Sequence, residues 1–395
     1  MNTEELSRYF TPVSLNDIGF TKENGFEKWG DRLIIHTSEE GFPQMDNTVK
    51  MAIIGVPEDR ASVNDKGCAY NPDIVRHYFY PLMPQENAPV IVDLGNIIIG
   101  NQVTDTYFAV SEVCSFLLSR NIIPVVIGGS NDIAIGLYKA YVNISQIINI
   151  FALDAEFDLI SDDEPVTDKN FLHEIICSEP NYLFDYTHAG YQTYFVDNKA
   201  LDLLDDLRFD RLRLGQLQDK IEAVEPLVRD ADMVLIDMNC VRASDAPSSP
   251  SPHGLYGEQL CKICNYAGMS DKLTSVCFCG NNTFNDLGGR TSHIIAHALY
   301  YFIEGYIWRK NDYPYEDDGN YIKFNVMLNN FEDEIVFYKS KKSDRWWVQV
   351  PCTGEMKKKY MRHYIVPCLY SDYESAASGE LPSKWLVAYN KLNMY

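Results

Sequence analysis

Carboxylate side chains directly follow two apolar segments of this chain. Asp154, Glu156 and Asp158 come after QIINIFAL, whereas Asp237 comes after MVLI and is followed two residues later by Asn239. Since alternate residues of an extended segment share one face, we expect each group to point one way. Carboxylates this close repel each other unless a metal ion, a basic residue or water offsets their charge. Oxygen-rich clusters suit Mn²⁺, Mg²⁺ or Ca²⁺, and the alternative is that one or two of these residues are caps or turn residues facing water.

The segments that must position these side chains alternate in type. Continuous apolar runs predict buried strands at Lys50–Val56, Val90–Leu94, Ile122–Ile127, Gln146–Leu153, Met233–Ile236 and Leu273–Phe278. Helical spacing predicts helices at Asp105–Ser119, Asp132–Tyr141, Leu217–Arg229, Gly257–Ala267 and Arg290–Trp308. This alternation indicates a mostly parallel sheet that helices cover on both faces. In such sheets, sites form at the carboxyl ends of strands, where a third polar group, GGSND at residues 128–132, also lies.

The composition and the distribution of apolar residues limit the class of protein to which this chain can belong. A formal net charge of −22 argues against broad binding to nucleic acids or anionic membranes, which needs a basic face. The chain has no run of about 18 apolar residues and no signal-peptide pattern, so we expect a cytoplasmic protein with no membrane span. We expect an N-terminal wrap over residues 1–48, an α/β domain over 49–309, and a β-rich C-terminal extension over 310–395 packed on the main domain.

Together the polar groups resemble the ureohydrolases, the superfamily of arginase, agmatinase and formimidoylglutamase. The family motifs G-G-D-H-S, D-A-H-x-D and S-x-D-x-D-x-x-D-P are similar to the segments that contain residues 128–132, 154–158 and 237–239. Further segments resemble the family in the same order, at Gly67–Arg76, Asp93–Asn96 and Cys279–Asn285. The tail, with FYKSKKSDRWW and RHYIVPC, is similar to that of a divergent arginase- or formimidoylglutamase-like group with degenerate metal motifs.

This resemblance implies a three-layer α/β/α sandwich of the arginase type and a dinuclear metal site. In the family, two Mn²⁺ ions lie at the strand ends and activate a water molecule, which attacks the carbon of a guanidino or formimino group. The implied substrate is therefore a small guanidino- or formimino-type compound derived from arginine or histidine.

Four site positions differ from the family pattern. Asn131 and Glu156 replace ligand histidines, Asn239 replaces a ligand aspartate, and Cys279 replaces a glutamate that orients substrate, while the ligand type is kept at Asp154, Asp158 and Asp237. An amide oxygen is a weak ligand, and losing the bridging position removes the activated water. The resemblance therefore implies an eroded manganese site that holds one ion or none rather than two. No organic cofactor is expected.

Three other residues are candidates for the site. His173, in NFLHE, resembles the N-L-H-G stretch that supplies a proton-shuttle histidine in arginase, although Phe171 is an extra residue. The alternative for His173 is a histidine on the surface of a helix. Arg242 and His253 flank the polar loop after Asp237, which borders the substrate pocket in the resembling group.

Two functions follow from this pattern. The first is a pseudoenzyme that keeps the fold, lacks the usual ureohydrolase activity and has a binding or scaffold role. The alternative is an active hydrolase that cleaves a linear amidine or guanidine C–N bond with a remodelled one-metal carboxylate site. The basic and aromatic stretch Lys339–His363 is expected to form a protein or homo-oligomer interface, with a plain solvated surface as the alternative and nucleic acid not expected.

Overall fold

The computed structural model describes residues 1–22, 25–63, 66–159, 165–314, 319–328, 334–352 and 354–393. Ten of its strands form one central sheet and four form a second sheet near the C-terminus. The strands are β1 Phe10–Thr11, β2 Ile34–Ile35, β3 Val49–Val56, β4 Val90–Ile97, β5 Ile123–Gly128, β6 Ile148–Leu153, β7 Leu183–Tyr191, β8 Asp210–Arg213, β9 Met233–Asp237, β10 Ser275–Cys279, β11 Tyr321–Val326, β12 Ile335–Ser340, β13 Trp346–Gln349 and β14 Ile365–Cys368.

The central sheet has the order β1-β4-β3-β5-β10-β9-β6-β7-β8, and β2 also pairs with β4. Every pairing in it is parallel except that of β1 with β4. Within the segment expected to be an N-terminal wrap, β1 and β2 therefore extend the edge of the main sheet. The domain boundaries stay a prediction.

Helices cover both faces of this sheet. The helices of the described residues are α1 Thr3–Ser7, α2 Leu15–Ile18, α3 Trp29–Arg32, α4 Asn71–Phe79, α5 Val103–Leu118, α6 Ala134–Asn143, α7 Phe171–Ile176, α8 Asn198–Asp206, α9 Leu214–Asp219, α10 Glu225–Arg229, α11 Gly257–Met269, α12 Arg290–Ile307, α13 Gly354–Lys359, α14 Tyr370–Ala377 and α15 Ser383–Asn393. The last three belong to the C-terminal extension, and α14 and α15 contribute to its separate core.

The strand residues alternate between two hydrophobic cores. Met51 and Ile53 of β3 pack with α4, α11 and α12, whereas Ala52 and Ile54 pack with α5 and α6 on the other face. Such alternation is what a pleated strand buried on both sides requires. The predicted three-layer α/β/α fold with a β-rich extension is confirmed.

The structure differs from the predicted elements in several places. The helix expected over Leu217–Arg229 is interrupted, because α9 ends at Asp219, a 3₁₀ turn follows, and α10 begins at Glu225. Pro226 cannot donate a backbone hydrogen bond to the preceding turn, so it occupies the first turn of a new helix. Strands β7 and β8 were not predicted, since their many polar residues hide the strand pattern.

The C-terminal extension packs against the amino ends of the central strands. The guanidinium of Arg362 donates to Asp232 at 2.6 and 3.0 Å, immediately before β9, and the ring of His363 contacts the carbonyl oxygen of Ile147 at 3.2 Å, immediately before β6. A strand of five or six residues spans about 16–20 Å, so the extension lies across the sheet from the carboxyl ends. The interface role of Lys339–His363 stays a prediction, but its Trp346 and Trp347 are buried in the extension's own core.

Within the described ranges, no helix combines the length and the apolar character that crossing a membrane demands.

Candidate functional site

Three aspartate side chains meet at the carboxyl ends of neighbouring strands. Asp154 follows β6, Asp158 lies four residues further on, and Asp237 ends β9, the strand paired with β6. One carboxylate oxygen from each lies within 4.8 Å of the others, and all three residues are more than nine-tenths buried. Among the residues that the structure describes, this triad is the only group of three or more such side chains placed to hold a metal ion.

Backbone geometry holds the triad in place. The amide of Glu156 donates to Asp154 Oδ1 at 3.1 Å, and the amide of Asn239 donates to Asp237 Oδ1 at 2.7 Å. Gly280 follows β10 with a φ of +73°, and a Cβ atom there would lie 2.2 Å from Asp237 Oδ1. Glycine at position 280 is thus required both by its left-handed backbone and by the space that the Asp237 carboxylate occupies.

The two asparagines of the site direct amide nitrogens towards carboxylates. Asn131 Nδ2 donates to Asp237 Oδ2 through a short hydrogen bond and lies 3.4 Å from Asp158 Oδ2. Asn239 Nδ2 lies 3.4 Å from the same Asp237 oxygen. Asn131 and Asn239 therefore supply hydrogen-bond donors to Asp237, and Asn131 also to the Oδ2 atom of Asp158.

Glu156 lies outside the triad, because the chain is no longer extended after β6 ends at Leu153 and Asp158 adopts a φ of +48°. The expected common face of the three carboxylates therefore does not form. The Glu156 carboxylate instead contacts Lys169, whose Nζ lies 3.1 Å from Glu156 Oε2 and 3.6 Å from Asp158 Oδ1. The basic residue that the carboxylates need is thus supplied by the loop before α7.

Burial and charge shift the pKa values of these groups. Burial, followed by the charges of Asp237 and Asp158, raises the pKa of Asp154 well above its usual value. Burial also raises the pKa of Asp158 to about 6, against the opposing effect of Lys169. For Lys169 itself, burial disfavours the charge, but the neighbouring carboxylates outweigh it and raise the pKa of the ammonium. Lys169 is therefore charged and offsets one negative charge of the cluster.

A buried histidine supports the backbone of the triad. His188 lies in β7 with 1% exposure, its Nδ1 is 2.8 Å from the Tyr186 hydroxyl, and its Nε2 is 3.1 Å from the carbonyl oxygen of Asp154. Burial lowers the pKa of His188 to about 3, so the ring is neutral and its Nε2–H donates to that carbonyl. Sequence reasoning missed both Lys169 and His188. No local pattern pointed to either residue, since the strand that carries His188 was itself not predicted and Lys169 lies in a loop.

Of the remaining predicted site residues, one lies at the triad and the other three lie away from it. Cys279 lines the cavity beside the triad together with Asn131 and His188, and that cavity has a volume of about 10 Å³, room for about one water molecule. Arg242 stacks on Tyr256 and lines a separate groove by α11 and α12.

His253 and His173 also lie away from that cavity. His253 lines a groove next to Gln192, and its backbone oxygen accepts a hydrogen bond from the Gln192 side-chain amide at 3.0 Å. The ring of His173, which lies on α7, contacts the sulfur of Cys177, the residue after that helix, at 3.5 Å. Their roles, and that of Arg242, stay predictions.

Comparisons with known proteins identify the family of this chain. The model of the Arginase family matches residues 49–304. The chain belongs to the arginase family. A relative named formimidoylglutamase, from Staphylococcus haemolyticus, is 27% identical over 284 residues, which cover 67% of this chain and 89% of the relative. The predicted resemblance to this family is confirmed, and the C-terminal sheet lies beyond the matched residues.

Two solved structures of the family have the same fold. A crystal structure described as Trypanosoma cruzi formiminoglutamase with Mn2+2 has a TM-score of 0.64 and 17% identity, covering 72% of this chain and all of that chain (100%). Formimidoylglutamase from Bacillus subtilis has a TM-score of 0.65 and 18% identity, covering 75% of this chain and 99% of that one.

The triad has the chemistry that a divalent ion of this family requires. Carboxylate oxygens suit Mn²⁺ and Mg²⁺. Asp158 Oδ1 is buried and accepts no hydrogen bond, so it is an acceptor that a cation would satisfy. Asp154, Asp158 and Asp237 thus fit one divalent ion.

Proposed function

We propose that this arginase-family protein is a pseudoenzyme, which keeps the fold, binds at most one divalent ion and lacks the hydrolytic activity of its formimidoylglutamase relatives. The observation that carries the proposal is the set of partners around the carboxylates. Lys169 contacts Glu156 and Asp158 and supplies one positive charge, and the Asn131 amide donates a hydrogen bond to Asp237, so the chain itself provides part of the compensation that metal ions would give.

The donor set supports one ion rather than two. A second ion needs ligands beyond the three aspartates. The other residues expected to act as ligands are Glu156, Asn131 and Asn239. Glu156 is held by Lys169, and both amides direct nitrogens rather than oxygens towards Asp237. The cavity that all three aspartates line has a volume of about 10 Å³, which holds about one water molecule and is too small for a guanidino or formimino group.

One observation favours a second candidate function. The unsatisfied Oδ1 of Asp158 lies in a triad that fits a single ion, so a one-metal hydrolase of a linear amidine or guanidine is the alternative. A bound divalent ion would supply Lewis-acid chemistry and lower the pKa of a water molecule. In this candidate the three aspartates hold the ion, and a histidine such as His173 carries a proton between the site and solvent.

The test is to count ions and assay activity on the same sample. The full-length protein is incubated with Mn²⁺, desalted and analysed for metal, then assayed with arginine, agmatine and formiminoglutamate. The Staphylococcus haemolyticus formimidoylglutamase is treated in parallel as a positive control. We expect one ion or fewer per chain and no hydrolysis above the rate without protein.

A variant that restores the ligand types of the family tests whether the changed residues limit metal binding. The combined change Asn131→His, Glu156→His and Asn239→Asp gives back the ligand types of the family, and we expect it to raise the Mn²⁺ content towards two ions. Near two ions per chain in the unmodified protein, together with turnover of any of the three substrates, would refute the pseudoenzyme. Turnover with a single ion would establish the one-metal hydrolase instead.

A further inference from the structure

Lys169 is placed among the metal-site carboxylates by a rigid local structure. Its neighbour Asp168 is 2% exposed and accepts hydrogen bonds from Ser62 Oγ at 2.8 Å and from the amide of Val63 at 2.9 Å. On its other side, Asn170 Oδ1 accepts from the amide of Thr167 at 2.7 Å. These contacts join the loop before α7 to the loop after β3, so the backbone of Lys169 has little freedom to withdraw its side chain from the site.

The ammonium of Lys169 lies where it acts on a triad ligand. It is 3.6 Å from Asp158 Oδ1, the buried oxygen that accepts no hydrogen bond, and its side chain is only 17% exposed. An ion bound to that oxygen would lie beside a positive charge that solvent screens poorly. The same ammonium is 3.1 Å from Glu156 Oε2, so it lies between this fourth carboxylate and Asp158 and pairs with both.

We infer that Lys169 is a cation built into the site, which competes with divalent metal for Asp158 and restricts the triad to a single, weakly held ion. The inference rests on the proposed function, since it explains how the same carboxylates lose the capacity for two ions. It makes Lys169 a residue that determines metal occupancy, at a position where neither the ligand motifs nor composition indicated one.

Replacing Lys169 by methionine tests this directly. Methionine keeps an unbranched apolar stem in the partly buried space but removes the charge. Because a nearby charge shifts the equilibrium of a charged group by about one to three powers of ten, we expect full-length Lys169→Met to bind Mn²⁺ at least about tenfold more tightly than the unmodified protein. The readout is the concentration of free Mn²⁺, measured by electron paramagnetic resonance during titration, and it requires no catalytic activity.

Two further variants separate charge from structure. Lys169→Arg keeps the charge, and we expect its Mn²⁺ affinity to stay within about threefold of the unmodified protein. Lys199→Met removes an exposed lysine from a cleft that Glu156 and Asp158 also line. We expect no change in its affinity for Mn²⁺. Thermal unfolding of each metal-free variant shows whether it is folded. If Lys169→Met does not fold, Lys169→Gln, which keeps a polar end, replaces it in the same titration.

The outcomes distinguish this inference from the proposed function. Unchanged or weaker Mn²⁺ binding by a folded, neutral variant at position 169 overturns the role of Lys169, whatever the activity of the protein. Two ions and hydrolysis in the unmodified protein overturn the proposed function, and with it the occupancy limit assigned to Lys169. One ion or none in the unmodified protein, with at least tenfold tighter binding in Lys169→Met but not in Lys169→Arg, supports both.

Discussion

Loss of Arg76 should destabilise the protein strongly, because its partner Asp93 is inaccessible to water. The guanidinium donates to both oxygens of Asp93 at 2.9 Å, and the two residues are 1% and 0% exposed. In Arg76→Met, Asp93 keeps hydrogen bonds from the Tyr80 hydroxyl and the Gly95 amide, both at 3.0 Å, but has no neighbouring cation. Breaking a buried pair in this way costs about 3–5 kcal/mol, and the two remaining donors place the value towards the lower end.

A double-mutant cycle separates the buried charge from the pair itself. Asp93→Asn removes the other charge, but Arg76 then still contacts the half-exposed Asp73 at 2.9 Å, so we expect a smaller loss than in Arg76→Met. In the double variant no unpaired charge is buried. Its loss should therefore fall short of the sum of the single losses by at least about 2 kcal/mol.

Urea denaturation followed by far-UV circular dichroism gives the free energies of unfolding. The exposed pair of Lys262 with Glu222 is the matched control, since its side chains are 41% and 64% exposed and Lys262→Met should cost no more than about 1 kcal/mol. A loss below about 1 kcal/mol in Arg76→Met, or a double variant that equals the sum of the singles, would show that the buried pair is not organised as described.

For two further changes, a fall in pH that acts through His363 and a substitution of Gly280, the structure predicts the direction of the change in stability. Burial and then the charge of Lys272 hold the pKa of His363 well below its usual value, so the folded protein keeps a neutral ring while the unfolded chain takes up a proton below about pH 6.5. Stability from this residue is therefore present above that pH and is lost as the pH falls, by about 2 kcal/mol between pH 7.5 and 5. Denaturation at both pH values should show this loss in the unmodified protein but not in His363→Gln. Gly280→Ala should lower the free energy of unfolding by about 1–2 kcal/mol because of its left-handed backbone, and by more because the new Cβ atom displaces Asp237. Gly41 has a φ of +76° and no atom within 4 Å of an added Cβ, so Gly41→Ala should show the backbone cost alone. Equal denaturation midpoints for the two variants would contradict this account.

The site was predictable where residue type and strand position together decided it. Asp154 and Asp237 come at the end of apolar runs, and parallel strands bring such ends to one edge of a sheet. The roles of neighbours were less predictable. Glu156 was expected beside Asp154 and Asp158, but period-two alternation holds only while the chain is extended, and β6 ends at Leu153.

The sequence by itself determined the parallel sheet, its two covered faces, and the three aspartates at its carboxyl edge, because periodic burial and strand ends are local properties of the chain. Only the tertiary structure decided what neutralises those aspartates. Lys169 reaches them from a loop held by Asp168 against Ser62, a contact between residues 106 positions apart. Electrostatic partners depend on distance in space, and distance of that kind is set by packing between segments rather than by spacing along the chain.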